Sequence, residues 1–431
     1  MTIAKQNLRL EGIYPQRQKD FFMQRVKLPA GIISSDQALK VAELSGRFAQ
    51  GLVHLTTRGS IELHWLTEEN LQQAAAQLAM VGLYNRGACG GAVRGVVCGS
   101  LSAAGAPALE ALVRKIHRHF TGNPRFEKLP KKFKIAVEAD ASSRRHLIQD
   151  VGLVAADSGD GRARFDLFVA GGLGREPVPG FLLAPGVPEE GIIPLVESIL
   201  RVYEAHTPAG KRLKHLVREI GREEFSAWVL GDPAAQVELP TAPSLTASLV
   251  PAHAAGAPRL EAHVFAGELK SEGLAALSEI AREFCGGILM VTGDQNVVMH
   301  LEDAGDAQRA QQALDAAGFA VKGPADRVVF RVCPGSHECI MGLSQTRDIA
   351  AQVLEAMGEG ALALSWAFSG CPNCCAQPQL SEVGIVSSRL VSEPAGRQPR
   401  FDLYRAGSAP FAEPVQQGLT LQELLQAVKD I

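Results

Sequence analysis

Residues 329–339 read V-F-R-V-C-P-G-S-H-E-C, and residues 368–380 read F-S-G-C-P-N-C-C-A-Q-P-Q-L. Cys333 and Cys339 are spaced C-x5-C, and Cys371 and Cys375 are spaced C-x3-C. Soft thiolates suit iron, and four cysteines together hold a [4Fe–4S] cluster. Both pairs lie among Gly and Pro, where backbone can approach a bound group closely. Other readings use the same residues. A structural zinc site prefers tighter pairs, which C-x5-C fits poorly. Cys371 and Cys374 form C-x-x-C, a redox dithiol spacing that leaves Cys333 and Cys339 without a role. Buried cysteines with no shared purpose are the remaining reading.

Length and charge set the frame. The chain has 431 residues, enough for two to four domains. Its net charge of −3 argues against a general nucleic-acid or membrane surface. Eight cysteines in this length are not a secreted disulfide framework. Residues 1–18 are polar and lack an apolar signal core, and no stretch of eighteen apolar residues occurs. These features predict a cytoplasmic protein without a membrane segment.

Outward from the cysteines, the chain repeats itself. M-Q-R-V-K (23–27) alternates as a strand with Arg25 and Lys27 on one face. Ser35 and Asp36 predict the cap of a helix running to about Phe48. Two short strands around T-T-R-G-S follow, then a helix over Glu68–Met80 capped by Thr67 and closed by Gly82. L-T-T-R-G-S-I-E-L-H-W from Leu55 matches V-T-G-D-Q-N-V-V-M-H-L from Val291. V-V-C-G-S around Cys98 matches R-V-C-P-G-S around Cys333. V-G-L-V at Val151 matches V-G-I-V at Val383, and R-F-D-L-F-V-A-G at Arg164 matches R-F-D-L-Y-R-A-G at Arg400. Anchors in one order indicate a duplicated architecture, and two copies predict a pseudo-twofold pair. Residues 239–258, rich in Pro, Ala and Ser, read as a linker. The other divisions expected are 1–85, 86–238, 259–322 and 323–431. A terminal amphipathic helix is capped by Thr420.

The halves have diverged in chemistry. The second carries the cysteines. The first carries K-L-P-K-K-F-K (128–134), placed by the repeat near the position of C-P-N-C-C. Alternation in K-K-F-K-I-A-V puts Lys132 and Lys134 on one strand face, unfavourable unless an anion joins them. A solvated edge strand is the plain alternative. Arg94 lies in a Gly-rich loop before a strand, where an ordinary surface arginine is equally natural.

The cysteine pattern, C-x5-C followed by S-G-C-P-N-x-C-A-Q, resembles the cluster motif of the siroheme-dependent sulfite and nitrite reductases. That resemblance implies a [4Fe–4S] cluster on Cys333, Cys339, Cys371 and Cys375, with Cys375 bridging to siroheme iron. It implies that Arg25 in M-Q-R-V-K-L-P-A-G, Arg94, and Lys132 and Lys134 in L-P-K-K-F-K surround the anionic substrate. Arg58 in T-T-R would contact siroheme carboxylates, with Thr56, Thr57 and His54 beside it. Thr292, Gln295 and Asn296 match a T-x-N-Q-N stretch near the cofactor. Departures are His54 in place of a basic residue, Gly95 after the loop arginine, Gly91 and Ala92 within that loop, and Asp294 in place of Asn.

The implied fold is mixed α/β and duplicated, each half a small ferredoxin-like unit plus a larger α/β lobe. The implied activity is six-electron reduction of sulfite to sulfide, with nitrite to ammonia as the alternative. Lys134 favours sulfite, because nitrite reductases of the family tend to carry Asn there. A precorrin-3B synthase-like oxygenase and a cluster-bearing electron carrier or sensor are further alternatives; neither needs the basic quartet. No flavin or nicotinamide fingerprint appears, so the expected electron source is a ferredoxin or a separate flavoprotein.

Overall fold

A computed structural model describes residues 8–99, 106–156, 163–239, 258–394 and 396–431. The predicted linker, 239–258, lies outside the described residues except for its two end positions.

The first small unit comprises β1 (Ile13–Pro15), β2 (Phe21–Val26), β3 (Ile32–Ser34), α1 (Ser35–Phe48), β4 (Leu52–Leu55), β5 (Ile61–Thr67) and α2 (Glu68–Met80). The cap of α1 is Ser34, one residue before the expected Ser35. Its hydroxyl accepts from Gln37 N at 3.2 Å, and Gln37 Oε1 accepts from Ser34 N at 3.1 Å. The Gln at N3 completes a capping box that Ser35 could not form. Helix α2 keeps its expected bounds.

The first lobe holds β6 (Val97–Cys98), α3 (Ala106–Phe120), β7 (Ile135–Glu138), β8 (Val151–Ala156), β9 (Arg164–Val169), β10 (Phe181–Pro188), α4 (Glu189–His206), α5 (Leu213–Ile220) and α6 (Arg222–Leu230). The second small unit holds β11 (Arg259–Ala262), β12 (Glu268–Lys270), α7 (Ser271–Phe284), β13 (Ile288–Val291), β14 (Val297–His300) and α8 (Ala307–Leu314). The second lobe holds β15 (Phe330–Val332), α9 (Thr346–Ala356), β16 (Trp366–Ser369), β17 (Val383–Glu393), β18 (Gly396–Arg405), β19 (Glu413–Leu419) and α10 (Leu421–Lys429). Thr420 caps α10 as expected, accepting from Glu423 N.

Topology displays the duplication. One lobe sheet runs β6-β7-β8-β9-β10 and the other β15-β16-β17-β18-β19, the first three strands parallel and the last two antiparallel in each. The small units go further and exchange a strand. β12 pairs with β4 of the first unit, and β3 pairs with β13 of the second. Both units share one apolar core, in which Val41, Leu44, Leu55 and Leu63 join Leu277, Leu289, Val291 and Met299. Each lobe has a core of its own.

Two glycines make the exchange possible. Gly31 (φ +77°) and Gly267 (φ +69°) occupy equivalent places before β3 and β12. A Cβ on Gly31 would lie 2.2 Å from Val291 O, and one on Gly267 2.7 Å from Leu55 O. Leu55 and Val291 are themselves the equivalent ends of β4 and β13, so each half presses a glycine on the other's carbonyl.

The topology also corrects one alignment. β16 corresponds to β7, so the turn C-P-N-C-C after β16 corresponds to residues 140–144 after β7. The K-L-P-K-K-F-K stretch precedes β7, at the opposite strand end. Lys132 and Lys134 also lie just before the strand and not within it, flanking buried Phe133, which bridges to Val93. No described helix is long and apolar enough to cross a membrane.

Candidate functional site

Two loops of the second lobe bring the cysteines together. Cys333 follows β15, and its sulfur accepts from Gly370 N at 3.1 Å while its carbonyl accepts from Thr346 Oγ1 at 2.6 Å. The loops touch through glycines. A Cβ on Gly342 would lie 2.2 Å from the carbonyl carbon of Gly335, and one on Gly370 2.9 Å from its Cα. All eight cysteines are free thiols. Burial pushes the thiols of Cys333, Cys339 and Cys371 up, and a charge on Cys375 adds to each, with Cys371 reaching about 11. The four sulfurs therefore feel one another.

Cys374 and Cys375 differ sharply. Cys374 takes a left-handed backbone (φ +54°), is buried, and its sulfur accepts from Gln379 Nε2 at 3.2 Å. Cys375 is exposed. Among the described residues no three His, Cys, Asp or Glu side chains converge to hold a single metal ion. In a [4Fe–4S] cluster each cysteine takes a different iron, so its sulfurs spread around the group instead of meeting at one point. Four thiols from two amide-lined loops fit such a group, and buried thiolates need its positive charge.

Opposite Cys375 lies a field of cations drawn from the first half. Burial lowers the pKa of Lys132, and a charge on Cys375 opposes that shift. Lys134 is pushed well down by burial, with Arg58 and Lys132 adding repulsion. Burial lowers Arg94, whose Nη2 donates to Gly90 O at 2.8 Å. Arg58, brought to about 9 by burial and by its neighbours Arg25 and Arg94, donates to Gln149 Oε1 at 3.0 Å and Gly95 O at 2.9 Å. Burial works against Arg25, but its ion pair with Glu62, together with smaller contributions from Cys89, Cys375 and Tyr14, holds its pKa up. The centre thus gathers all four cations of the predicted quartet, with Arg58 beside Arg25, Arg94 and Lys134.

Two members of this field carried no sequence expectation. Asp150, fully buried, accepts from Lys134 N at 2.9 Å and from Arg212 Nη2 at 2.8 Å. Arg212 sits in K-R-L-K-H, which reads only as the start of a helix. Asp150 immediately precedes the repeated V-G-L-V anchor, the one signal that marks its place.

Contacts across the halves close the site. Thr57 Oγ1 donates to Cys375 O at 2.8 Å, and Gln377 Nε2 donates to Thr57 O at 3.1 Å. Arg331 donates to Ala376 O at 3.2 Å and pairs with Asp294 at 2.9 Å; Arg145 pairs with the same carboxylate at 2.7 Å. Arg17, from the turn between β1 and β2, donates to the carbonyls of Cys339, Ile340 and Gly342.

The other residues expected near a cofactor are used inside the frame. Thr56 Oγ1 accepts from Arg58 N and Ser60 N, and Thr292 Oγ1 from Asp294 N and Asn296 N, each holding its own turn. Gln295, 1% exposed, donates to Leu55 O and Val332 O and accepts from Val332 N. Asn296 accepts from Val264 N and donates to Glu261. His54 is buried on β4, and burial holds its pKa down at about 3, so it is neutral.

Comparison with known proteins agrees with this arrangement. Residues 91–237 match the nitrite and sulphite reductase 4Fe-4S domain, and residues 14–81 and 260–317 match the nitrite/sulfite reductase ferredoxin-like half domain. The chain is 29% identical to "Ferredoxin--nitrite reductase" of Synechococcus elongatus over 86% of this chain and 77% of that protein. It is 27% identical to "Sulfite reductase [ferredoxin] 2" of Mycolicibacterium paratuberculosis over 90% of this chain and 74% of that protein. The fold matches the Mycobacterium tuberculosis NirA protein with a TM-score of 0.83, covering 99% of this chain and 87% of that one at 22% identity. The two small units are therefore ferredoxin-like halves. The chain is an oxidoreductase of the nitrite and sulfite reductase family, whose cofactors are siroheme and a [4Fe–4S] cluster.

Proposed function

We propose that this chain reduces sulfite to sulfide by six electrons, with nitrite as its second substrate. The observation that carries this reading is the place of Cys375. It is the exposed cysteine of the four, and Arg25, Lys132 and Lys134 all feel its charge. When bound, siroheme and the cluster supply an iron that takes the anion and electrons delivered singly. The chain's own part is electrostatic and protic. Arg25 and Arg94 neutralise the oxyanion, and Arg forks suit its oxygens. Lys132 and Lys134 donate protons as each oxygen leaves as water. Their burial makes them readier donors than a free lysine. Arg58 serves the siroheme carboxylates, while Thr56, Thr292, Gln295, Asn296 and His54 keep the frame rigid around it. Cys333, Cys339, Cys371 and Cys375 hold the cluster.

Sulfite stands first because an anion in the pocket offsets the repulsion that lowers Lys134, and the charge Lys134 then carries favours a dianion over a monoanion. The named relatives divide between the two substrates, and both are ferredoxin enzymes by name. A ferredoxin is accordingly the proposed electron donor. The test is steady-state turnover with sulfite and nitrite side by side, on protein whose visible spectrum carries siroheme bands. Arg94→Ala and Lys132→Ala keep that spectrum and lose about 10²-fold or more in turnover, as expected when a preorganised charge is removed. Full activity in either variant would remove it from the site.

A further inference from the structure

The sheet that carries Arg25 has an unusual face. β5 is paired on both sides, with β2 and β4. Glu62 on β5 stands in register with Arg25 on β2 and with His54 on β4. His64 follows two residues on, so it shares their face. The opposite face carries Val26, Ile61, Leu63, Val53 and Leu55 into the common core. One sheet face is thus apolar and the other a buried row of ionisable groups.

Glu62 is the centre of that row. Its side chain is 7% exposed, it pairs with Arg25 Nη2, and its second oxygen lies 3.4 Å from His64 Nε2. Arg25 keeps 25% of its side chain open. The fixed carboxylate faces the same region as the substrate cations, since it stands in register with Arg25 and pairs with its guanidinium. A carboxylate there repels any anionic substrate, so it adds nothing to affinity. It does hold Arg25 in one geometry, and it subtracts one charge from the field. That subtraction costs a dianion about twice what it costs a monoanion.

We propose that Glu62 sets the anion-charge preference of this centre, positioning Arg25 while lowering the net positive charge that Lys134 raises. The inference rests on the anion reduction proposed above. Glu62 and Lys134 are then opposing settings of one quantity, the bias between sulfite and nitrite.

The test uses the purified holoprotein with sulfite and nitrite as probes. Equilibrium titration without reductant reads the two dissociation constants, and turnover reads kcat/KM for each anion. Glu62→Gln, which keeps the shape and removes the charge, is expected to shift the ratio toward sulfite by about fivefold or more. Lys134→Asn shifts it toward nitrite. The double variant returns within about twofold of the wild-type ratio, because opposite charge changes offset one another. A merely structural Glu62 would weaken both anions alike and would not be compensated by Lys134→Asn. An unchanged or reversed ratio in Glu62→Gln overturns the proposal. Should that variant not fold, Glu62→Asp withdraws the carboxylate by one methylene and must shift the ratio in the same direction; no shift overturns it equally. Wild-type protein that binds and reduces neither anion would instead remove the reduction reading itself.

Discussion

At the scale of single residues, Cys374 and Cys375 show how neighbours in sequence separate in space. The sequence offers two ligand pairs, C-x-x-C and C-x3-C. The left-handed turn at Cys374 buries its sulfur against Gln379, and burial takes its pKa to about 11. Cys375 points outward, with its carbonyl held by Thr57. Cys375→Ser is expected to lose the cluster or its magnetic coupling to siroheme. Cys374→Ser is expected to keep the visible spectrum and most of the turnover. Electron paramagnetic resonance and absorption spectra of the two variants check this, and reversed phenotypes would make Cys374 the ligand. The same scale explains why the lysines were readable. Alternation around Phe133 places both ammonium groups on one side whether the segment is a strand or, as here, the turn before one.

At the scale of elements, the strand exchange depends on two glycines whose backbone no other residue adopts without strain. Gly267→Ala combines a φ of +69° with a Cβ 2.2 Å from Gln295 Nε2 and 2.7 Å from Leu55 O. A loss of about 2 kcal/mol or more is expected, because neither carbonyl nor buried amide can retreat. Gly31→Ala meets Val291 O at 2.2 Å and should behave alike. Gly358→Ala, with no atom near its Cβ and no positive φ, is the control and should stay within about 0.5 kcal/mol of wild type. Urea unfolding of the three variants measures the differences. Equal stabilities would show that the exchange tolerates a side chain.

At the scale of the whole molecule, neither half is self-sufficient. β12 completes the first unit's sheet, β3 the second's, and the small units share one core. Residues 1–238 expressed alone would therefore expose the edge of β4 and half of that core. Each half alone keeps its lobe core but is expected to melt at a lower temperature than the full chain, whereas co-expressed halves should co-purify and regain the full-chain transition. Circular dichroism melts of each half and of the pair decide this, and a melt of residues 1–238 alone at the full chain's temperature would show that the exchange is dispensable.

What could be read without coordinates was local in the chain. Cysteine spacing, the T-T-R-G-S turn, the alternation of Lys132 and Lys134, and repeated anchors such as V-G-L-V and V-G-I-V each depend on a few consecutive residues. Spacing and period record local geometry directly, so the duplicated α/β architecture and the paired lysines were legible there, while Arg25 and Arg94 were singled out by the family resemblance. The alignment of K-L-P-K-K-F-K with C-P-N-C-C was not, because those stretches occupy opposite ends of equivalent strands. Nor were the Asp150–Arg212 pair, the Arg17 clasp, or the row of Arg25, Glu62 and His54. Each joins residues far apart in sequence, and register between strands leaves no periodic trace in either strand alone. The sequence by itself determined which chemistry the chain carries. Tertiary structure decided which charges face one another, because the exchange of β3 and β12, with the Thr57, Arg17 and Arg145 contacts, brings the cations of one half against the cysteines of the other.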